Sequence, residues 1–183
     1  MNVLIISSSR DEINEKYKIL ARNISNYLAT NNYNLVFGGA STSMMGICYQ
    51  EFDKLNRKIY AYTTPKYLDD LENLKNAKSI ICETTFDLKK DMFKKSDLII
   101  CLPGGIGTIS ELLSYIEEKR SNNKDIPIII CDEDNYYEYL LNTLEQTIIN
   151  NFSDNKIYNM FSIVHNLDEL KKIIRKEDTI WMI

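Results

Sequence analysis

Two hydrophobic periods alternate along this chain. Short, nearly continuous apolar runs at Val3–Ile6, Leu35–Phe37, Lys58–Tyr62, Ser79–Cys82, Leu98–Leu102, Ile126–Cys131 and Phe161–Val164 predict strands, most of them buried on both faces. Between them the apolar residues recur at helical spacing. Ile13, Tyr17, Leu20, Ala21, Ile24 and Leu28 make one such face, and Met45, Tyr49, Phe52 and Leu55 a second. A short basic helix is expected over Asp87–Lys95. Ile109, Leu112, Leu113 and Ile116 form the stripe of a central helix, followed by Tyr137, Leu140, Leu141, Leu144 and Ile148. The last helix opens on Asn166 with Glu169 three residues later, a capping box, and buries Leu170, Ile173 and Ile174. Residues 66–78 are charged and predict a loop with a helical turn. Strands alternating with helices over the whole of 1–183 predict one α/β domain. It should be Rossmann-like and doubly wound, a mostly parallel sheet with helices on both faces.

In such sheets ligands sit beyond the carboxyl ends of the strands, where the strand order reverses. Three polar turns fall at such ends, residues 7–10, 38–46 and 103–108, and are expected to converge. The most explicit is Pro103-Gly104-Gly105-Ile106-Gly107-Thr108-Ile109-Ser110-Glu111. Glycines let backbone N–H groups approach a ligand, and a helix amino terminus adds partial positive charge, so Gly104, Gly105, Gly107 and Thr108 suit a phosphate. Gly38, Gly39 and Ser41 are candidates to face them from the second turn. Thr108 is expected at or near the helix cap, with Glu111 in the first turn, directed to the mouth of the site rather than the core. The alternatives are glycines used only for close packing and a Glu111 that merely complements the helix dipole. The spacings GxGxxG and GxxxxGK[ST] are absent, which favours a mononucleotide or sugar phosphate over a dinucleotide.

Composition narrows the classes. The chain has 183 residues, 44% of them hydrophobic, and a net charge of -4, which argues against a general nucleic-acid-binding surface. No apolar run is long enough to span a membrane, and Met1–Ser9 enters a strand pattern without a basic leader, so a cytoplasmic protein is expected. The four cysteines, Cys48, Cys82, Cys101 and Cys131, read as small buried apolar residues of a reducing compartment, not disulfides or metal ligands. His165 is the single histidine, which disfavours a histidine triad or a multi-histidine metal site. Neither a metal nor a cofactor is expected.

With these turns in hand the chain resembles the LOG family, the cytokinin riboside 5′-monophosphate phosphoribohydrolases often labelled lysine decarboxylases. The signature PGGxGTxxE is matched in full by residues 103–111, and the family's other turn, GGGxxGLMG, is similar to residues 38–46, with Ala40 and Ser43 replacing glycines. The paired Tyr136-Tyr137 and Leu140-Leu141 also look like the family. The resemblance implies hydrolysis of the N-glycosidic bond of a nucleoside 5′-monophosphate, AMP or a modified AMP, to free base and ribose 5-phosphate. It also suggests a homodimer. In that setting Glu111 stabilises the positive charge that builds on the sugar, and the glycine turn holds the 5′-phosphate.

Three departures mark this chain. A gapless count back from Met92 puts Leu88 where the family has a catalytic arginine in RKxxM; Lys89 matches the motif's lysine, and Lys89 or Lys90 is the candidate to supply the lost charge, though not a planar guanidinium. Glu118-Lys119-Arg120 replaces a Trp-Ala-Gln stretch of the central helix, which bears on the base pocket. Ser7 stands where a glycine is usual. The competing function is a LOG-like nucleotide-binding or sensor module with little or no turnover.

Overall fold

A computed structural model describes residues 1–122 and 125–181. All seven expected strands form: β1 (Asn2–Ile6), β2 (Asn34–Phe37), β3 (Ile59–Thr63), β4 (Lys78–Ile81), β5 (Leu98–Cys101), β6 (Ile128–Cys131) and β7 (Ser162–Val164). They make one sheet of order β4-β3-β2-β1-β5-β6-β7 in which every pairing is parallel. The helices are α1 (Glu15–Thr30), α2 (Ser43–Lys54), α3 (Thr85–Lys95), α4 (Ile106–Asn122), α5 (Glu138–Ile149) and α6 (Leu167–Trp181).

The period of two along each strand divides the core into two layers. Val3, Ile5, Leu35 and Phe37 point to the face covered by α1, α2 and α6, where they join Ile24, Leu28, Phe52 and Leu170 in one cluster. Leu4, Ile6, Val36 and Ile99 point to the opposite face, against Met92 and Phe93 of α3, Leu112 and Tyr115 of α4, and Leu141 of α5. The sheet is therefore doubly wound. Its order reverses between β1 and β5, paired from Val3↔Leu98 to Ile6↔Cys101, and the turns after these two strands emerge side by side.

Boundaries shift where local chemistry overrides hydrophobic runs. Pro127 precedes β6 instead of lying in it, because it has no N–H to give a central ladder. Residues 65–73 form a 3₁₀ segment opened by Pro65, and α3 starts at Thr85, with the Thr84 hydroxyl accepting from the Asp87 N–H at 3.1 Å. The Asn166 cap forms as expected: the Glu169 N–H donates to Asn166 Oδ1 at 3.0 Å, while the Glu169 carboxylate accepts from the His165 N–H at 2.8 Å. All four cysteines are free and buried. Among the described residues no helix is long and apolar enough to cross a membrane.

Candidate functional site

The three polar turns do converge. A cleft of about 500 Å³ opens at the carboxyl ends of β1 and β5, walled by Ser7 to Arg10 on one side and Pro103 to Thr108 on the other. Met44 and Met45 of α2 also line it, as do Tyr17 and Tyr136. A second cleft, about 470 Å³, adjoins it along α3 and the segment after β3, lined by Gly38, Thr64, Asp70, Leu88, Lys89 and Ser110 among others. Ser9, Met45, Ile106, Gly107 and Glu111 belong to both walls, so Glu111 stands where the two clefts meet.

The helix after the glycine turn begins earlier than the cap pattern suggests. α4 starts at Ile106, with the Ile109 N–H donating to the Gly105 carbonyl at 3.0 Å. This corrects two expectations. Thr108 is not the cap but a buried residue of the first turn, and its hydroxyl donates to the Ser7 carbonyl at 3.1 Å. It can offer a ligand its backbone N–H, not its hydroxyl. Glu111 accordingly lies in the second turn, although still in the cleft wall. Leu113 is exposed, and Tyr115, stacked on Phe93 at 5.7 Å, takes the buried place beside Leu112 and Ile116.

The glycines divide by what a side chain would meet. A Cβ on Gly104 would collide with the Thr108 side chain, so this glycine serves packing. Gly105 and Gly107 would meet nothing within 4 Å, and neither has a positive φ. Gly107 even lies inside a helix, where glycine costs about 0.5–1 kcal/mol against alanine. Neither packing nor turn geometry requires glycine at these two positions. What they do is leave the amino terminus of α4 bare toward the cleft, where the N–H groups of Ile106, Gly107 and Thr108 have no place in the helical ladder. In the second turn, Gly39 has φ +70° and would press a Cβ to 2.8 Å from the Tyr62 carbonyl oxygen. Gly39 and Ser41 line neither cleft, so of that trio only Gly38 reaches a cleft wall.

Burial pushes the Glu111 carboxyl from an ordinary 4.5 up to about 7, with the Lys89 ammonium acting in the opposite direction. Lys89 is half-buried in the second cleft, and its Nζ donates to Ser110 Oγ at 2.7 Å. Lys90 and Lys94 are exposed and line neither cleft, while Lys95 lies over the Tyr60 ring at 4.3 Å. Of the four basic residues of α3, Lys89 is the one that faces Glu111. Leu88, 9% exposed, presents an apolar wall where an arginine would reach the cleft.

Tyr136 was not legible as a site residue. Its hydroxyl donates to the Gly104 carbonyl at 2.8 Å, and its ring meets Tyr17 edge-on at 5.5 Å. Beside it, Tyr137 donates to the Leu102 carbonyl at 2.7 Å, and its own N–H is held by buried Asp132 at 2.6 Å. The turn after β6 thus grips both ends of the Pro103 corner. The sequence signals for Tyr136 were its place in the turn after β6 and the paired tyrosines that look like the family, and neither assigns a contact. Thr64, Tyr67 and Asp70, which follow β3, also enter the second cleft, where the sequence predicted only a charged loop with a helical turn over 66–78. Among the described residues no three His, Cys, Asp or Glu side chains cluster within reach of one metal ion.

Residues 42–174 match the family model described as possible lysine decarboxylase. A cytokinin riboside 5′-monophosphate phosphoribohydrolase of Arabidopsis thaliana is 27% identical over 169 residues, 92% of this chain and 74% of the relative. A probable enzyme of the same name from Oryza sativa subsp. japonica is 27% identical over 171 residues, with the same shares covered. Among solved structures, the molybdenum cofactor carrier protein of Chlamydomonas reinhardtii superposes with a TM-score of 0.70 at 11% identity, covering 96% of each chain. The molybdenum cofactor binding protein of Rippkaea orientalis gives 0.65 at 16% identity, covering 96% of this chain and 94% of that one. At such identities these two speak for the fold alone. The family model, the full PGGxGTxxE match and the relatives together place this chain in the LOG family.

Proposed function

We propose that the protein hydrolyses the N-glycosidic bond of a nucleoside 5′-monophosphate, releasing the free base and ribose 5-phosphate. The observation that carries this reading is the place of Glu111, a carboxyl at the junction of two clefts, beside one lysine and within the helix whose bare amino terminus suits a phosphate. A phosphate seated on the glycine turn fixes one end of the nucleotide, and binding energy at that end then positions the sugar. As the C1′–N bond lengthens, positive charge builds on the ribose. The Glu111 carboxylate stabilises that charge and orients the water whose oxygen bonds to C1′, while the base departs with the bonding electron pair and takes up a proton. Low polarity around Glu111 strengthens this interaction, and the pKa near 7 keeps a substantial share ionised at neutral pH.

The relatives named for cytokinin riboside 5′-monophosphates support the reaction type, and the base is left to the second cleft, whose lining differs from the family pattern at Leu88. That same residue favours a second reading, a nucleotide-binding module that does not turn its ligand over. Incubating the purified protein with a panel of nucleoside monophosphates and separating the products by chromatography distinguishes the two. Release of free base from at least one monophosphate supports the enzyme; binding without release supports the module.

A further inference from the structure

The turn after β1 contains features that the glycine turn does not explain. Ser7 is 2% exposed and lines the first cleft, and its Oγ is buried without a hydrogen-bond partner among the described residues. A buried hydroxyl left unpaired is costly, and of the three such hydroxyls among the described residues, on Ser7, Ser25 and Tyr115, that of Ser7 belongs to a residue lining the cleft. Three residues on, Arg10 is the one cationic side chain in that cleft wall. It is exposed, and its backbone is tied at both ends: its N–H donates to Ser8 Oγ at 3.1 Å and its carbonyl accepts from Ser43 Oγ at 2.6 Å.

The backbone between them is held from behind at every residue. The Ser7 carbonyl accepts from Thr108 Oγ1, the Ser8 carbonyl from the Met45 N–H at 3.3 Å, the Ser9 carbonyl from Thr42 Oγ1 at 2.7 Å, and the Arg10 carbonyl from Ser43 Oγ. Ser43 makes its bond at φ +50°, a left-handed conformation unfavourable for a residue with a side chain. Bonds from four consecutive carbonyls to α4 and to the start of α2 hold the backbone of this turn in place.

We propose that the turn from Ser7 to Arg10 is the second arm of the phosphate site, the Ser7 hydroxyl donating to a phosphate monoester seated on the glycine turn and the Arg10 guanidinium pairing with its charge. The inference rests on the phosphate seat of the proposed function and adds the groups that select the dianion. The Gly105–Thr108 turn supplies only neutral backbone donors, and Glu111 in the same cleft is repulsive to an anion once ionised. A guanidinium opposite them supplies the missing countercharge, in a form suited to bidentate contact with phosphate oxygens.

The test compares wild type, Ser7→Ala, Arg10→Ala and Arg10→Lys by calorimetry and thermal melting, with ribose 5-phosphate and ribose as probes. Wild type should bind ribose 5-phosphate and not ribose. Arg10→Ala should weaken binding at least tenfold with an unchanged melting temperature, and Arg10→Lys should recover part of the loss. Ser7→Ala should melt at or above the wild-type temperature, since it removes an unpaired hydroxyl, yet bind ribose 5-phosphate about tenfold more weakly. Variants that bind the probe as tightly as wild type would overturn this inference and leave the proposed function standing. So would a Ser7→Ala protein that melts several degrees lower, which would show that the hydroxyl has an internal partner. A wild type that binds neither ribose 5-phosphate nor AMP would overturn both.

Discussion

Two glycine-bearing turns follow two strands of the same sheet, and they use glycine for opposite ends. After β2, Gly39 and Gly46 bring backbone against backbone: a side chain on either would press into a carbonyl oxygen, of Tyr62 or of Ser41. After β5, Gly105 and Gly107 have open space above them and no conformational need for glycine. The first turn is a joint that holds the sheet and α2 together. The second forgoes helix stability to expose its amides. A glycine in a motif therefore says that something approaches closely, and the environment of the absent Cβ says whether that something belongs to the protein or to its ligand.

The largest expected effect tests the carboxylate that the exposed turn serves. Glu111→Gln keeps shape and removes charge, and should lower base release by at least about 10²-fold while nucleotide binding persists. In the proposed reaction the ionised carboxyl is the one that acts, so base release by the wild type should rise as pH increases through about 7. Stability should run the other way. The folded protein holds the Glu111 proton more tightly than the unfolded chain does, so folding is favoured at low pH and this advantage is lost between about 4.5 and 7. Above that window Glu111→Gln should be the more stable protein, by on the order of 1–3 kcal/mol. Melts of both proteins at acid and alkaline pH check the sign; a variant less stable than wild type at alkaline pH contradicts the buried-carboxyl account.

The two turns themselves are separated by paired substitutions. Gly46→Ala should cost at least ~2 kcal/mol, because the Ser41 carbonyl is backbone and cannot swing aside. Gly107→Ala should melt at or slightly above the wild-type temperature and still lose affinity for a nucleoside monophosphate, about tenfold or more. If Gly107→Ala also unfolds the protein, or if it binds normally, the contrast between joint and seat fails.

A smaller effect concerns the charge beside Glu111. Lys89→Ala should depress activity several-fold, whereas alanine at Lys90 or Lys94, both outside the clefts, should leave it within about twofold. Equal effects at all three would make α3 a solvated basic face. Leu88→Arg complements this: a gain in base release would show that the cleft still accommodates the family's guanidinium.

The fold was readable because apolar runs and helical stripes report burial directly, and all seven strands sit within one or two residues of their apolar runs. Strand order was not, since the placement of β1 beside β5 depends on crossovers that leave no local mark. The site was half readable. Gly105, Gly107 and Glu111 emerged from strand–turn–helix chemistry and from the family signature. The misassignments share one cause, contacts between residues remote in sequence. The Thr108 hydroxyl is taken up by the Ser7 carbonyl 101 positions away, Gly39 is required by Tyr62, and Tyr136 reaches the Gly104 carbonyl across 32 positions. Ser7 was visible as a departure from the family, but its unpaired hydroxyl appears only once the surrounding donors and acceptors are accounted for.

The claim on which the account turns is that the cleft at the reversal of strand order is built for a phosphate. Calorimetry of the Glu111→Gln protein with AMP and adenosine side by side tests it without interference from turnover, with other bases substituted if neither binds. Two or three charge-assisted hydrogen bonds, each worth roughly 1.5–3 kcal/mol, predict that the monophosphate binds at least about a hundredfold more tightly than its nucleoside. Equal affinity for a nucleoside and its 5′-monophosphate would contradict it.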